Sequence, residues 1–268
     1  MITLYSGTPG SGKSYHAVKV IDDTLRYKSL PVLTNLTLDK RYAGAPSLQR
    51  RMMMLPVINT VFKSQKNKKA KLLVEFDIYN VSPQFFVDYA RKNLKPNKEN
   101  QALIVIDECA RIFNPRMDRS DRIRWIDFFQ IHRHLGYNII LIAQHSRLLD
   151  RQITYLLEYN VIHRGAKNFK LLGKILSMLS GGNLFVAVRK WFGINEVESR
   201  EWIRGSKSIY KLYNTYQDFD TTSKQKSNKT SLLLRSKDNA NTTKNIKEIN
   251  KSNTSSDNDV TISSITKS

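Results

Sequence analysis

One cysteine in 268 residues, Cys109, excludes an internal disulfide and a thiolate cluster for zinc. It follows an acidic pair at the end of an apolar run and reads as core packing in a reducing compartment. Acidic side chains are also scarce: 23 Asp and Glu face 44 Lys and Arg, a formal net charge of +21. An anionic partner is therefore expected. Nucleic acid and the anionic cytoplasmic face of a membrane both fit, because each attraction is independent of sequence, and a generally basic soluble surface is the plainer alternative. The first residues, Met-Ile-Thr-Leu-Tyr-Ser-Gly, lack a basic region followed by an apolar stretch and a cleavage site, so no secretion signal is expected. Only Leu171 to Val188 approaches a membrane span. Lys174, Asn183, three glycines and two serines interrupt the roughly 20 apolar residues that a bilayer requires, so a loop or hairpin against the core or a membrane surface is expected there.

What is present is enough apolar residue, 40% of the chain, for one well-buried α/β domain. Ile2 to Tyr5 reads as a strand, the glycine-rich turn follows, and Ala17, Val18, Ile21 and Leu25 give Ser14 to Tyr27 a helical period. Pro31 to Leu38 reads as a second strand, and its closeness to the first implies a parallel βαβ unit. Residues 40 to 100 mix basic stretches such as Lys63 to Lys71 with apolar pieces such as Leu72 to Tyr79. An elaboration with loops and a hairpin is expected there, then a helix from about Pro83 to Asn93. Ala102 to Ile106 has the continuous apolar pattern of a strand buried on both faces. An amphipathic helix over Asp121 to Leu135, closed by Gly136, leads to another such strand, Asn138 to Ala143, making a second parallel unit. Beyond about residue 217 the composition turns to Asn, Ser, Thr and Lys, which cannot bury enough surface to offset the entropy of ordering, and a disordered tail over 217–268 is expected.

Gly7-Thr8-Pro9-Gly10-Ser11-Gly12-Lys13-Ser14 is a Gly-x-x-x-x-Gly-Lys-Ser loop between an expected strand and an expected helix, the context that chance matches lack. Its glycines let backbone N–H groups face phosphate oxygens, and the helix N-terminus adds partial positive charge. Gly7 to Tyr15 is thus the expected nucleotide-contacting set, with ATP and Mg²⁺ the implied ligands. Lys13 should bridge the β and γ phosphates and Ser14 should give its hydroxyl to Mg²⁺. Asp107 stands where such proteins place the carboxylate that contacts magnesium, and Glu108 can polarise the attacking water. The rival reading makes Asp107 a cap and Glu108 a solvated charge.

Gln144, at the end of the next buried strand, either senses the γ-phosphate and positions water or serves as a hydrogen-bonding loop amide. Arg147 and Arg151 follow, and one of them could act in trans as an arginine finger. His132 and His134 lie two residues apart on a helix and point to different faces, so structural or phosphate-facing roles are expected over a metal site. Arg111, Arg116, Arg119, Arg122 and Arg124 could track a nucleic-acid backbone, contact neighbours or form a solvated face.

Several segments together resemble one family. They are the Thr8 to Ser14 loop, Thr34-Asn35, Ile106-Asp107-Glu108, His132-Arg133-His134-Leu135-Gly136 leading into Ile139 to Gln144, and Ile209 to Thr215. Over about residues 1 to 216 the chain resembles the zonular occludens toxin family, the filamentous-phage assembly ATPases. The resemblance implies a RecA-like α/β P-loop domain with a central, mostly parallel sheet. It also implies a motor at the host cytoplasmic membrane that helps extrude a single-stranded DNA phage through an envelope channel while coat protein replaces other bound proteins. Implied partners are further copies of the chain, phage coat or membrane assembly proteins, single-stranded DNA and the anionic membrane surface. Many family members carry a clear transmembrane helix after this domain, whereas here a basic polar tail follows, so peripheral or partner-mediated attachment is expected. Two other functions stay open: a DNA translocase or packaging motor, and a nucleotide-dependent scaffold without turnover.

Overall fold

A computed structural model describes residues 1–46, 68–166 and 184–213. Strand β1 (Ile2–Ser6) runs into the glycine-rich loop and helix α1 (Lys13–Asp23). A π-helical turn, Thr24–Lys28, extends α1 and stops where Ser29 adopts a left-handed backbone, φ 53°. Strand β2 (Val32–Thr34) is followed by a 3-10 turn (Lys68–Leu72), β3 (Leu73–Glu75) and α2 (Pro83–Asn93). Next come β4 (Ala102–Ile106), α3 (Arg119–Ile131), β5 (Tyr137–Ile142) and the short α4 (Arg151–Thr154). Strands β6 (Tyr159–Gly165), β7 (Leu184–Trp191) and β8 (Val197–Arg204), then α5 (Lys207–Tyr210), complete the described residues.

The strands form one sheet in the order β3-β2-β4-β5-β1-β6-β7-β8, parallel from β3 to β6 and antiparallel from β6 to β8. Two layers of apolar side chains cover it. On one face Ile2, Leu4, Ile104 and Leu141 pack under Phe86 of α2 and Trp125, Phe128 and Phe129 of α3. On the other, Val105, Ile140, Val161 and Ala187 pack under Val18 and Ile21 of α1, with Ile203, Ile209 and Leu212 beside them. β4 is buried throughout, as is β5 apart from Asn138, and they lie next to β1 at the centre because only there are both faces covered.

The central, mostly parallel sheet follows the sequence expectation, and β4, α3 and β5 make an adjacent parallel unit. Three expectations are corrected. β1 and β2 are parallel but not neighbours, since the more apolar β4 and β5 take the places between them. β2 ends at Thr34 instead of Leu38, because the Thr34 hydroxyl accepts the Leu36 N–H (3.1 Å) and turns the chain away. β3 pairs in parallel with β2, so the described part of 40–100 holds no hairpin. Of the Leu171 to Val188 stretch, 184–188 lies in β7, and 171–183 falls outside the described residues, as does 217–268. No described helix is long and apolar enough to cross a membrane. The β6–β8 wing was not anticipated: in β8 only Ile203 is buried, which leaves no apolar alternation to read.

Candidate nucleotide-binding site

The loop is pinned at both ends. The Gly7 N–H donates to the Gln144 carbonyl (3.1 Å), tying the end of β1 to the end of β5, and the His16 N–H donates to the Gly12 carbonyl (2.9 Å), opening α1. Gly12 has φ +94° and a Cβ there would sit 2.6 Å from the Phe185 ring, while a Cβ on Gly7 would sit 2.4 Å from the His163 carbonyl oxygen. Both positions need glycine because the β6–β7 wing approaches so closely. Thr8, Pro9 and Gly10 form the exposed crest. Ser11 is buried and its hydroxyl makes no hydrogen bond within the described residues. α1 begins without a side-chain cap or an acidic residue in its first turn, so its N–H groups and partial positive charge are available to an anion.

Lys13 reaches across the loop, its Nζ donating to the Gly7 (2.8 Å) and Thr8 (3.1 Å) carbonyls. Burial lowers its pKa, opposed by the charges of Asp107 and Glu108. Ser14 Oγ donates to Asp107 Oδ2 (2.9 Å), so the first turn of α1 meets the end of β4. Burial raises the Asp107 carboxyl to about 6, opposed by hydrogen bonds from Ser14 and from the Glu108 N–H. Asn35 clamps the Asp107 main chain from both sides: its Nδ2 donates to the Asp107 carbonyl (3.0 Å), and its Oδ1 accepts the Asp107 N–H (2.7 Å). Glu108 is exposed beside it with φ +50°, a conformation that costs a non-glycine residue about 1–3 kcal/mol and is commoner at functional sites. A hydroxyl beside a carboxylate is an oxygen-only donor set that fits a hard cation completed by phosphate oxygens and water.

Other expected residues are placed less directly. The Tyr15 side chain turns away from the loop: its hydroxyl donates to the Arg204 carbonyl (3.1 Å), accepts the Ser206 N–H (2.8 Å), and its ring packs on Tyr210. Only its main-chain N–H is left for a nucleotide. Gln144 contributes its carbonyl to the loop and exposes its side chain. Arg147 and Arg151 are exposed, and Arg151 Nε donates to the Tyr155 hydroxyl (2.8 Å); neither joins the Lys13–Asp107 cluster. His132 is buried against the Phe129 carbonyl and the Met1 ammonium (2.9 Å), and burial holds it near 4 and neutral. No group of three or more His, Cys, Asp or Glu among the described residues could hold a metal. The arginine cluster divides. Arg122 pairs with Asp150 (3.1 Å), Arg124 with Asp121 (3.6 Å), Arg111 lies on Tyr79, and Arg116 and Arg119 are exposed.

A buried histidine pair behind the loop has no counterpart in the sequence expectations. His163 Nδ1 faces the Val161 (3.0 Å) and Ser6 (3.3 Å) carbonyls and must carry the proton, so its Nε2 accepts from His16 Nδ1 (2.9 Å). Tyr5 stacks on His16 at 4.8 Å. The pair spans the loop's two ends, and burial lowers His16 to about 3 and His163 to about 4. The one local signal is a polar residue on the buried face of α1.

The family model for zonular occludens toxin (Zot) matches residues 1–178. The chain belongs to the Zot family. Within curated proteins, this Zot-family chain is 28% identical over 229 residues to the Gene 1 protein of Enterobacteria phage I2-2, covering 81% of this chain and 57% of that protein. It is 26% identical over 231 residues to the Gene 1 protein of Enterobacteria phage f1, covering 82% and 60%. The chain therefore spans less than two thirds of the length of these relatives. Among solved structures, a DnaB-like replicative helicase superposes with a TM-score of 0.51 at 14% identity, covering 80% of this chain and 57% of that one. The Zot-family chain thus has a RecA-like P-loop NTPase fold.

Proposed function

We propose that the chain is an ATP hydrolase whose turnover powers assembly and extrusion of a filamentous single-stranded DNA phage at the host cytoplasmic membrane, with residues 1–216 as the ATPase domain. The observation that carries the reading is the meeting of Ser14 and Asp107 at 2.9 Å beside a lysine that spans the glycine loop. The Gly7 to Tyr15 main chain holds the phosphates, and Lys13 releases its two carbonyls to bridge the β and γ phosphates. Ser14 Oγ and Asp107 are the groups that would hold Mg²⁺, which when bound neutralises charge on the transferring phosphoryl group. Glu108, exposed beside Asp107, orients and polarises the attacking water, and Gln144, whose carbonyl accepts the Gly7 N–H, is assigned to sensing the γ-phosphate. Membership of the Zot family and the likeness to phage Gene 1 proteins support a role in a phage, and the same proposal gives the chain a peripheral or partner-anchored position at the membrane and coat or membrane assembly proteins as partners. Oligomerisation fits a site at the rim of the sheet, where Arg147 or Arg151 of a neighbouring copy could enter.

The test is ATP turnover by the purified full chain, with and without single-stranded DNA or anionic liposomes. Glu108→Gln should bind ATP yet turn over roughly 10²- to 10⁴-fold more slowly, the worth of a positioned base. Lys13→Ala should lose both binding and turnover. Near-normal turnover in Glu108→Gln removes that residue from the catalytic role, and no turnover under any condition favours a nucleotide-dependent scaffold. Stimulation by DNA and not by liposomes favours a translocase.

A further inference from the structure

Tyr15 follows Ser14 in the first turn of α1, and its side chain is buried away from the glycine loop. Its hydroxyl spends its one proton on the Arg204 carbonyl (3.1 Å) and accepts the Ser206 N–H (2.8 Å), the main-chain groups on either side of Gly205. The ring meets Tyr210 at 4.7 Å and Phe185 at 5.7 Å between centroids, and Phe185 is the ring that crowds Gly12. The turn that carries Lys13 and Ser14 is thus tied to the end of β8 by two hydrogen bonds and by ring packing.

From Ser206 the chain crosses to the other flank of the site. Ser206 caps α5, its Oγ accepting the Ser208 N–H (3.3 Å). Ile209 and Leu212 are then buried in one layer with Val18 and Ile21 of α1 and with Leu36 and Leu38. The Leu212 carbonyl accepts the Asp39 N–H (3.0 Å), and Tyr213 pairs with Leu38 in an antiparallel bridge. Leu38 stands three residues after Asn35, whose side chain holds both main-chain groups of Asp107. Residues 205–213 therefore begin at the side chain next to Ser14 and end beside the segment that holds Asp107, the two partners of the 2.9 Å contact at the centre of the site.

We infer that residues 205–213 are a strap that sets the separation of Ser14 and Asp107, with Tyr15 the positioning residue at one end and Leu212 at the other. A rotation of α1 that swung Ser14 off Asp107 would also draw the Tyr15 hydroxyl from the Arg204 carbonyl and the Ser206 N–H, leaving both without that partner, and this cost resists the motion. At the far end, Leu212 holds Asp39 and so steadies the chain that carries Asn35. The value of the strap to metal and nucleotide rests on the proposed ATP site, whereas the link between its two ends is a property of the protein alone.

The test is amide hydrogen exchange on the full chain without nucleotide, wild type beside Tyr15→Phe, followed by ATP binding with and without Mg²⁺. Phe keeps the ring and removes only the hydroxyl. Exchange at Ser206, which loses its acceptor, should quicken about 2- to 10-fold, the worth of one hydrogen bond. The Asp39 N–H at the far anchor and the His16 N–H in the first turn of α1 should quicken with it, while the amides of β4 and β5 keep wild-type rates. Leu212→Ala should give the same pattern from the other end, and Leu212→Met, which conserves volume, should stay near wild type. In Tyr15→Phe, ATP binding in EDTA should be almost unchanged, but the tightening added by Mg²⁺ should shrink roughly tenfold, the low end for groups that orient a metal's ligands. Faster exchange at Ser206 alone, with Asp39 and His16 unmoved, would overturn the strap, as would a rise that spreads through β4 and β5 and marks a general loss of stability. An undiminished Mg²⁺ contribution would overturn its hold on Ser14 and Asp107. A chain that binds no ATP in either condition removes the proposed motor instead, and the exchange pattern alone then decides the strap.

Discussion

The nucleotide loop is held by two flanks of opposite character. On the wing side, β6 and β7 hold it with contact and neutral groups: the Phe185 ring against Gly12, the His163 carbonyl against Gly7, and the buried His16–His163 pair behind both. On the β2–β4 side, charge and directed hydrogen bonds hold it, with Ser14 on Asp107 and Asn35 on both main-chain groups of Asp107. The first flank fixes where the loop's backbone lies and the second fixes where its ionisable groups lie. Substitutions on the two flanks should therefore fail differently, the wing through stability and nucleotide affinity, the β4 side through turnover.

The largest effect is expected at Gly12. Gly12→Ala puts a Cβ 2.6 Å from the Phe185 ring at φ +94°, and overpacking with backbone strain together cost about 2–5 kcal/mol. Phe185→Ala in the same chain should relieve the steric part and leave the strain. Thermal melts of the single and double variants separate the two contributions. A double variant as unstable as Gly12→Ala alone would mean that the wing does not shape the loop.

A second expectation uses acid. His163 is held near 4 and His16 near 3, both below the ordinary 6.5, because burial disfavours their charged forms. Since these folded values lie below the unfolded one, the unfolded chain binds more protons in the interval between them, and stability rises with pH there. That stability is present above about 6.5 and is lost as pH falls toward 4. For His163 alone the loss approaches about 3 kcal/mol, and His163→Gln should flatten the fall by a similar amount. Urea unfolding at about pH 7, 5.5 and 4.5, values chosen to span that interval, reads both slopes. Equal slopes in the two proteins would place the acid sensitivity outside the histidine pair.

The two flanks also differ in how far the sequence revealed them. β1, the glycine loop and Asp107-Glu108 were legible because continuous apolar runs end abruptly in glycine or in acid, and α3 because Trp125, Phe128 and Phe129 recur at helical intervals. The wing was not legible. β6 interrupts its apolar residues with Asn160, His163 and Arg164, and β8 lies at the sheet edge, where Ile203 alone is buried. His16 and His163 are 147 residues apart, and no local pattern pairs them. Strand order escaped for the same reason: β2 follows β1 in the chain but lies beyond β5 and β4 in the sheet, since order depends on which strands need cover on both faces. Tyr15 is an intermediate case, correct in position on the loop but with its side chain drawn away by Arg204 and Ser206, which belong to the wing and the turn that follows it.

The smallest effect, on the β4 flank, is the most diagnostic. Asn35 touches neither the glycine loop nor Lys13 among the described contacts; it acts through the Asp107 main chain, donating to the carbonyl and accepting the N–H. Asn35→Ala leaves both groups without those partners, which costs about 1–3 kcal/mol and frees the end of β4 to shift. Because Asp107 then meets Ser14 less regularly, turnover should fall by about tenfold while the KM for ATP, set mainly by the loop and its wing contacts, changes little. Asn35→Asp keeps an acceptor for the Asp107 N–H but turns the donor facing the carbonyl into a second acceptor and sets a negative charge beside the buried carboxylate. It should therefore be slower still than Asn35→Ala. Steady-state kinetics on the two variants decide the matter: a fall in kcat with KM held, deeper for Asp than for Ala, separates positioning of Asp107 from a general loss of fold, which would move both parameters and the melting temperature together.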